Sequence, residues 1–143
     1  MRKTLFILLM VTVLWGQNRS ESNFWQSLSD SGKVLFLQGL YTGFTESLLT
    51  LQEEAVRQKR EDVYWSPPFS HENSAKRIKE YYADEMPDHE VIAAFLDAFY
   101  SNPDNLHIEL LDALHIVMLH QNGKIRRANE LLLMKQMELL KGR

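Results

Sequence analysis

Residues 91–118, VIAAFLDAFYSNPDNLHIELLDALHIVM, constrain this chain more than any other stretch. Val91, Ile92, Phe95, Leu96 and Phe99 recur at helical spacing, and Ile108, Leu111, Leu114 and Met118 form a second stripe widened by Leu110 and Val117. Such stripes are the signature of helices with one face turned to a core. Between them, Pro103 cannot continue a helix and biases Asn102 away from helical angles. Asn105 has the side chain of an N-cap for the second helix. A short connection of this kind predicts an antiparallel helix pair.

The rest of the chain reads as packing around that pair. Phe24, Trp25 and Leu28 form a small apolar anchor behind a polar leader, and Ser29 is placed to cap a long helix over residues 30–59. That helix carries an inward stripe of Leu37, Leu40, Tyr41, Phe44, Leu48, Leu51 and Ala55. Beside it runs a ridge of small residues, Gly39, Gly43 and Ser47. Two glycines inside a helix each cost about 1 kcal/mol relative to alanine, so another helix, a ligand or a partner peptide is expected against the bare backbone. Pro67 and Pro68 hold the loop VYWSPPF extended. Its aromatics Tyr64, Trp65 and Phe69 either fold back over the core edge or form an exposed binding platform. A shorter helix is predicted over 72–83, with Ala75, Ile78 and Tyr82 on one side. Pro87 interrupts it, Asp88 caps the central pair, and Asn122-Gly123 ends that pair with a left-handed C-cap. The last helix, 125–140, presents Ile125, Ala128, Leu132, Leu139 and Leu140, while Met134 and Met137 fall outside that face. Such flexible apolar side chains suit a homodimer or partner contact; the alternative is a helix buried on most sides. No strand pattern or repeat is visible. The expected fold is all-α, a single compact bundle of four to five helices.

The N-terminus reads as an address. Arg2 and Lys3 precede an apolar run from Leu5 to Trp15, too short to span a bilayer, where about 20 residues are needed. A cleaved signal peptide of residues 1–16 is expected, with a domain over 17–143, a periplasmic or secreted location and no stable membrane span after cleavage. The alternative is an uncleaved anchor. Losing Arg2 and Lys3 lowers Lys+Arg from 16 to 14 against 19 Asp+Glu, a formal charge of about −5. That argues against nucleic acid as a partner, which needs a basic field. The 143 residues contain no cysteine, which removes disulfides, thiolate metal sites and cysteine nucleophiles.

Chemistry-bearing groups are sparse. Metal-binding histidines on one helix want spacings of three or four. His107 and His115 are eight apart and His115 and His120 five, so no metal site and no cofactor is expected. His107 is expected near the buried stripe, and Asp112 should hydrogen-bond His115. No serine sits in a nucleophile elbow, and Gly39 and Gly43 lie inside a helix rather than in a phosphate loop. Three functions follow. The first is a non-catalytic domain that binds another protein or itself through Gly39, Gly43, Tyr64, Trp65, Phe69, Met134 and Met137. The second is a small-ligand carrier with Gly39 and Gly43 lining a cavity. The third is a hydrolase or lyase in which Asp97, Asp112, His115 and Tyr100 converge on a cleft.

The entry W-x-x-L-S at Trp25–Ser29, the run Phe36-Leu37-Gln38-Gly39-Leu40-Tyr41-Thr42-Gly43 and the turn Phe99–Asn105 together resemble small secreted bacterial helical proteins of unknown function. The glycine–tyrosine step is similar to that of Tai-type periplasmic immunity proteins. That resemblance implies toxin binding without catalysis. This chain departs from that family in lacking cysteines.

Overall fold

The computed structural model describes residues 21–82 and 88–141, with side chains through residue 138. The expected signal segment, Pro87 and the side chains of Leu139 and Leu140 lie outside them. Among the described residues the chain is all-helical, with six α-helices, one 3-10 turn and no strand. The helices are α1 (Glu21–Ser27), α2 (Asp30–Glu61), α3 (Phe69–Lys79), α4 (His89–Tyr100), α5 (Leu110–Gln121) and α6 (Ile125–Lys141), with the 3-10 turn Pro103–Asn105 between α4 and α5. The short α1 brings the count above the four to five expected.

Central to the fold are α4 and α5, which pack on each other; α2 lies on α4, α6 on α5, and α3 on α2. The buried face of α4 is Ile92, Ala93, Leu96 and Tyr100, and that of α5 includes Leu110, Ala113, Leu114, Val117 and Met118. Val91, Phe95 and Leu111, expected on these faces, are exposed. Both helices are nearly continuous in apolar residues, so periodicity finds the helices while the partners decide which edge turns inward. Ile116 and Leu119 of α5 form a second cluster with Ala128 of α6.

Three caps behave as expected. The Ser29 hydroxyl accepts from Gly32 N–H at the start of α2, and Asp88 accepts from Glu90 and Val91 N–H at the start of α4. Gly123 takes φ +69°, and Lys124 N–H and Gly123 N–H close back on Leu119 and His120 carbonyls, the double bond of a Schellman ending.

The connection between the central helices differs from expectation. Asn102, not Asn105, caps the 3-10 turn, and α5 begins only at Leu110, behind Glu109, whose side chain makes no cap bond. Asn105 is buried instead: its amide donates to the Phe99 carbonyl at 2.9 Å and accepts from Gln136 of α6 at 2.9 Å. The vacant cap is filled from α1, where the Glu21 carboxylate accepts from Leu110 N–H at 2.6 Å. A carboxylate there also meets the positive end of the helix dipole. His107, expected near the buried stripe, is exposed ahead of α5.

Two further elements shift. α3 begins at Phe69, inside the expected aromatic loop, and ends at Lys79. α6 is not buried on most sides: Ile125, expected on its apolar face, is exposed together with Leu133, Met134 and Met137, while Ala128 is buried.

Candidate functional site

The four groups that would make an acid–base cleft do not converge; each is held by its own partner. Asp97, on α4, accepts from Trp25 Nε1 at 2.8 Å and from Lys33 Nζ at 2.8 and 2.9 Å. Trp25 is fully buried and the Lys33 ammonium lies 5.7 Å from the centre of its ring. This knot ties α1, α2 and α4 together. Tyr100 donates to the Ile108 carbonyl at 3.0 Å, and burial pushes its hydroxyl well above the usual tyrosine range. It therefore stays protonated as a structural donor.

Asp112 does not reach His115; it pairs with Lys135 of α6 at 2.8 Å. That hydrogen bond keeps the Lys135 ammonium above its usual pKa. His115 turns to Glu80, with Nε2 at 3.0 Å from the carboxylate, and lies against the Tyr81 ring at 5.1 Å. Burial lowers the His115 pKa, against the pull of Glu80, so the neutral ring with Nε2–H donating is the favoured form. Glu80 is itself buried. Burial works to raise its pKa, but the Arg127 guanidinium, at 2.7 Å, and His115 together outweigh this and hold the carboxyl below its usual value.

Residues 80–82 thus form a junction that sequence reasoning missed. The Tyr81 carbonyl accepts from the Tyr41 hydroxyl at 2.7 Å, and the Tyr82 carbonyl accepts from the Asn122 amide at 2.8 Å. The Tyr82 hydroxyl lies 2.9 Å from that of Thr45. A helix end with Glu-Tyr-Tyr before a proline was the available signal. Its partners lie 35 to 47 residues away, beyond any local pattern. Among the described residues no three His, Asp or Glu side chains gather as metal ligands.

The sequence-predicted binding residues lie at the edges. Gly39 and Gly43 face open space: a Cβ on either would meet nothing within 4 Å, so the described residues place no helix against the ridge. Tyr64 is 96% exposed and Phe69 77% exposed, with Trp65 half-buried between them. The loop therefore does not fold back over the core. Asp62 orders it, accepting from Tyr64 N–H at 2.9 Å through its carboxylate and from Trp65 N–H at 3.0 Å through its carbonyl. Met134 and Met137, with Leu133, form an apolar outer face on α6, distant in sequence from the loop.

One concavity adjoins the central pair. A groove of about 720 Å³ runs between the first turns of α2 and α4, with Val34, Leu35, Ala93 and Ala94 on its walls and the Lys33–Asp97 pair beside them. No helix among the described residues is long and apolar enough to cross a membrane. Comparison with protein-family models, with curated proteins and with solved structures finds no match to this chain.

Proposed function

We propose that this chain is an exported, non-catalytic helical domain that acts by binding another protein, in an inhibitor- or immunity-like manner. The observation that carries the reading is the end of the α2–α3 hairpin. Val63, Tyr64 and Phe69 stand exposed on a backbone held by two prolines and the Asp62 turn. Aromatic groups on a pre-ordered loop lose little freedom on binding and supply the large contact area typical of interface anchors. The separate partners of Asp97, Asp112, His115 and Tyr100 support a scaffold role for these groups rather than an acid–base one. The basic, apolar N-terminal segment supports export as a processed precursor, and the resemblance to secreted helical proteins points the same way.

The test is affinity capture from the envelope extract of the native host, with the purified protein as bait. The reading expects one stoichiometric partner, lost on Tyr64→Ala combined with Phe69→Ala while the helical circular dichroism is kept. Partner capture indifferent to that double substitution would move the surface to α6, where Met134→Glu and Met137→Glu should abolish it. Capture of nothing by the unaltered protein would defeat the reading. Residues 1–16 are checked separately, by N-terminal sequencing of the exported product.

The α2–α4 groove, which Gly39 and Gly43 do not line, favours a second reading, a small-ligand carrier at a different place from the expected one. Its volume exceeds the about 300 Å³ that a small-molecule site requires. It would show as native mass spectra that retain a bound molecule, and as loss of that molecule on Ala94→Trp, which fills the groove from its wall.

A further inference from the structure

The outward face of α2 carries a seven-residue line of its own, besides the Leu37–Phe44–Leu51 and Tyr41–Leu48–Ala55 lines of the inward stripe. Leu35, Thr42, Leu49 and Val56 lie seven residues apart, and Val63 follows at the same interval just past the helix end. All five are exposed, Leu49 at 45%, Val56 at 51% and Val63 at 76%, whereas Leu37 and Tyr41 enter the core. Because residues seven apart drift by only about 20° around a helix, this exposed line is a stripe along which a second helix can lie. Gln52, Glu53, Val56, Arg57, Arg60 and Glu61 line a surface hollow. Four of them, at 53, 56, 57 and 60, have the spacing of the hole that receives a side chain from a facing helix.

The charges on this face specify which helix. Glu53 and Arg60 flank Val56 on one edge, and neither takes an ion-pair partner among the described residues. Arg57 is already held in its own helix by Glu54 at 2.7 Å and Glu61 at 3.7 Å. We infer that a second copy of this chain covers the face, with its α2 antiparallel and a two-fold axis passing by Val56. That rotation sets Val56 beside Val56 of the second copy and Leu49 beside the Val63–Tyr64 edge. It also sets Glu53 opposite Arg60, twice by symmetry. A parallel copy would instead stack acid on acid and base on base. The seam from Leu49 to Val63 is about 22 Å long at 1.5 Å per residue, so the pairing is concentration-dependent rather than permanent.

This inference rests on the binding reading and names a partner for one part of its surface. Purified protein alone decides it, whereas envelope capture decides the reading, so either can fail without the other. Sedimentation velocity of the purified full chain should show monomer passing to dimer across the micromolar range. Glu53→Arg and Arg60→Glu should each weaken the dimer by about tenfold, and the double exchange should restore it. Because the chain has no cysteine, a single introduced thiol reports position directly. Val56→Cys, on the axis, should form an inter-chain disulfide under mild oxidation, and Leu49→Cys should not. A monomer at every concentration overturns the inference, as does a double exchange that fails to restore dimer. Equal cross-linking at both positions also overturns it, because that is the mark of a parallel seam.

Discussion

At the scale of single residues, the Trp25–Lys33–Asp97 knot shows how unequal the two ends of an ion pair are. The Lys33 side chain is 11% exposed and the Asp97 side chain 43%. Removing the carboxylate leaves an ammonium and an indole N–H buried without an acceptor. Removing the ammonium leaves a carboxylate that water can still reach. Asp97→Ala should therefore destabilise by about 2 kcal/mol and Lys33→Met by less than about 1 kcal/mol. Urea melts that reverse this order would refute the account. Asp97 was legible as an acid on an apolar helix, but not its bond to Trp25, 72 residues away. His115 makes a second residue-scale case. Its folded pKa lies below its usual 6.5, so just below that pH the unfolded chain binds more protons, and stability falls as pH drops. Glu80, also lowered, acts in the same direction, starting from 4.5. The Tm should decline in two stages on acidification. His115→Gln, whose amide N–H replaces the ring donor to Glu80, should remove the upper stage alone. Differential scanning calorimetry across this pH range checks it, and an upper stage that survives the substitution would transfer the effect to another histidine.

At the scale of elements, helices were legible wherever apolar residues kept a 3.6-residue period, and caps wherever a short polar side chain stood before one. What misled was sidedness. Val91 and Ile92 are equally apolar, and only the packing of α2 and α5 makes Ile92 the buried one. The turn misled for a related reason. Asn105 has a capping side chain, but the buried Phe99 carbonyl and Gln136 claim it, and the cap of α5 comes from Glu21. The glycines of α2 give the sharpest element-scale prediction. Sequence logic asked what compensates for them, and the surrounding space is open. Thr42, Thr45, Ser47 and Thr50 nearby bond back to carbonyls one turn earlier, a further weakness in a helix interior. Gly39→Ala and Gly43→Ala should each stabilise by about 1 kcal/mol, since the new methyl meets nothing and the unfolded chain loses freedom. Thermal melts decide this. A destabilised variant would mean that something outside residues 21–82 and 88–138 lies against that face.

At the scale of the whole molecule, α2 belongs to two environments joined at that weak stretch. Its 32 residues span about 48 Å. Lys33, Leu37 and Tyr41 are buried in the core, while no α2 residue after Tyr41 is buried. The distal half is supported by α3 and by local pairs such as Arg57 with Glu54 and Glu61. Local opening is governed by how much buried contact must be given up, so the two halves should part company in hydrogen exchange. Amides around 37–45, hydrogen-bonded beside the core, should exchange only through global unfolding. Amides around 53–61 should exchange through a separate, lower-energy opening in dilute solution, with the boundary near Gly43. If α2 pairs with a second copy, raising the protein concentration should slow the distal set and leave the proximal set unchanged. Exchange measured by mass spectrometry at two concentrations separates these outcomes. Uniform protection along α2 at both concentrations would mean that the distal half shares the core's stability. The exposed aromatic end of the hairpin would then stand on a rigid lever rather than on an arm that opens by itself.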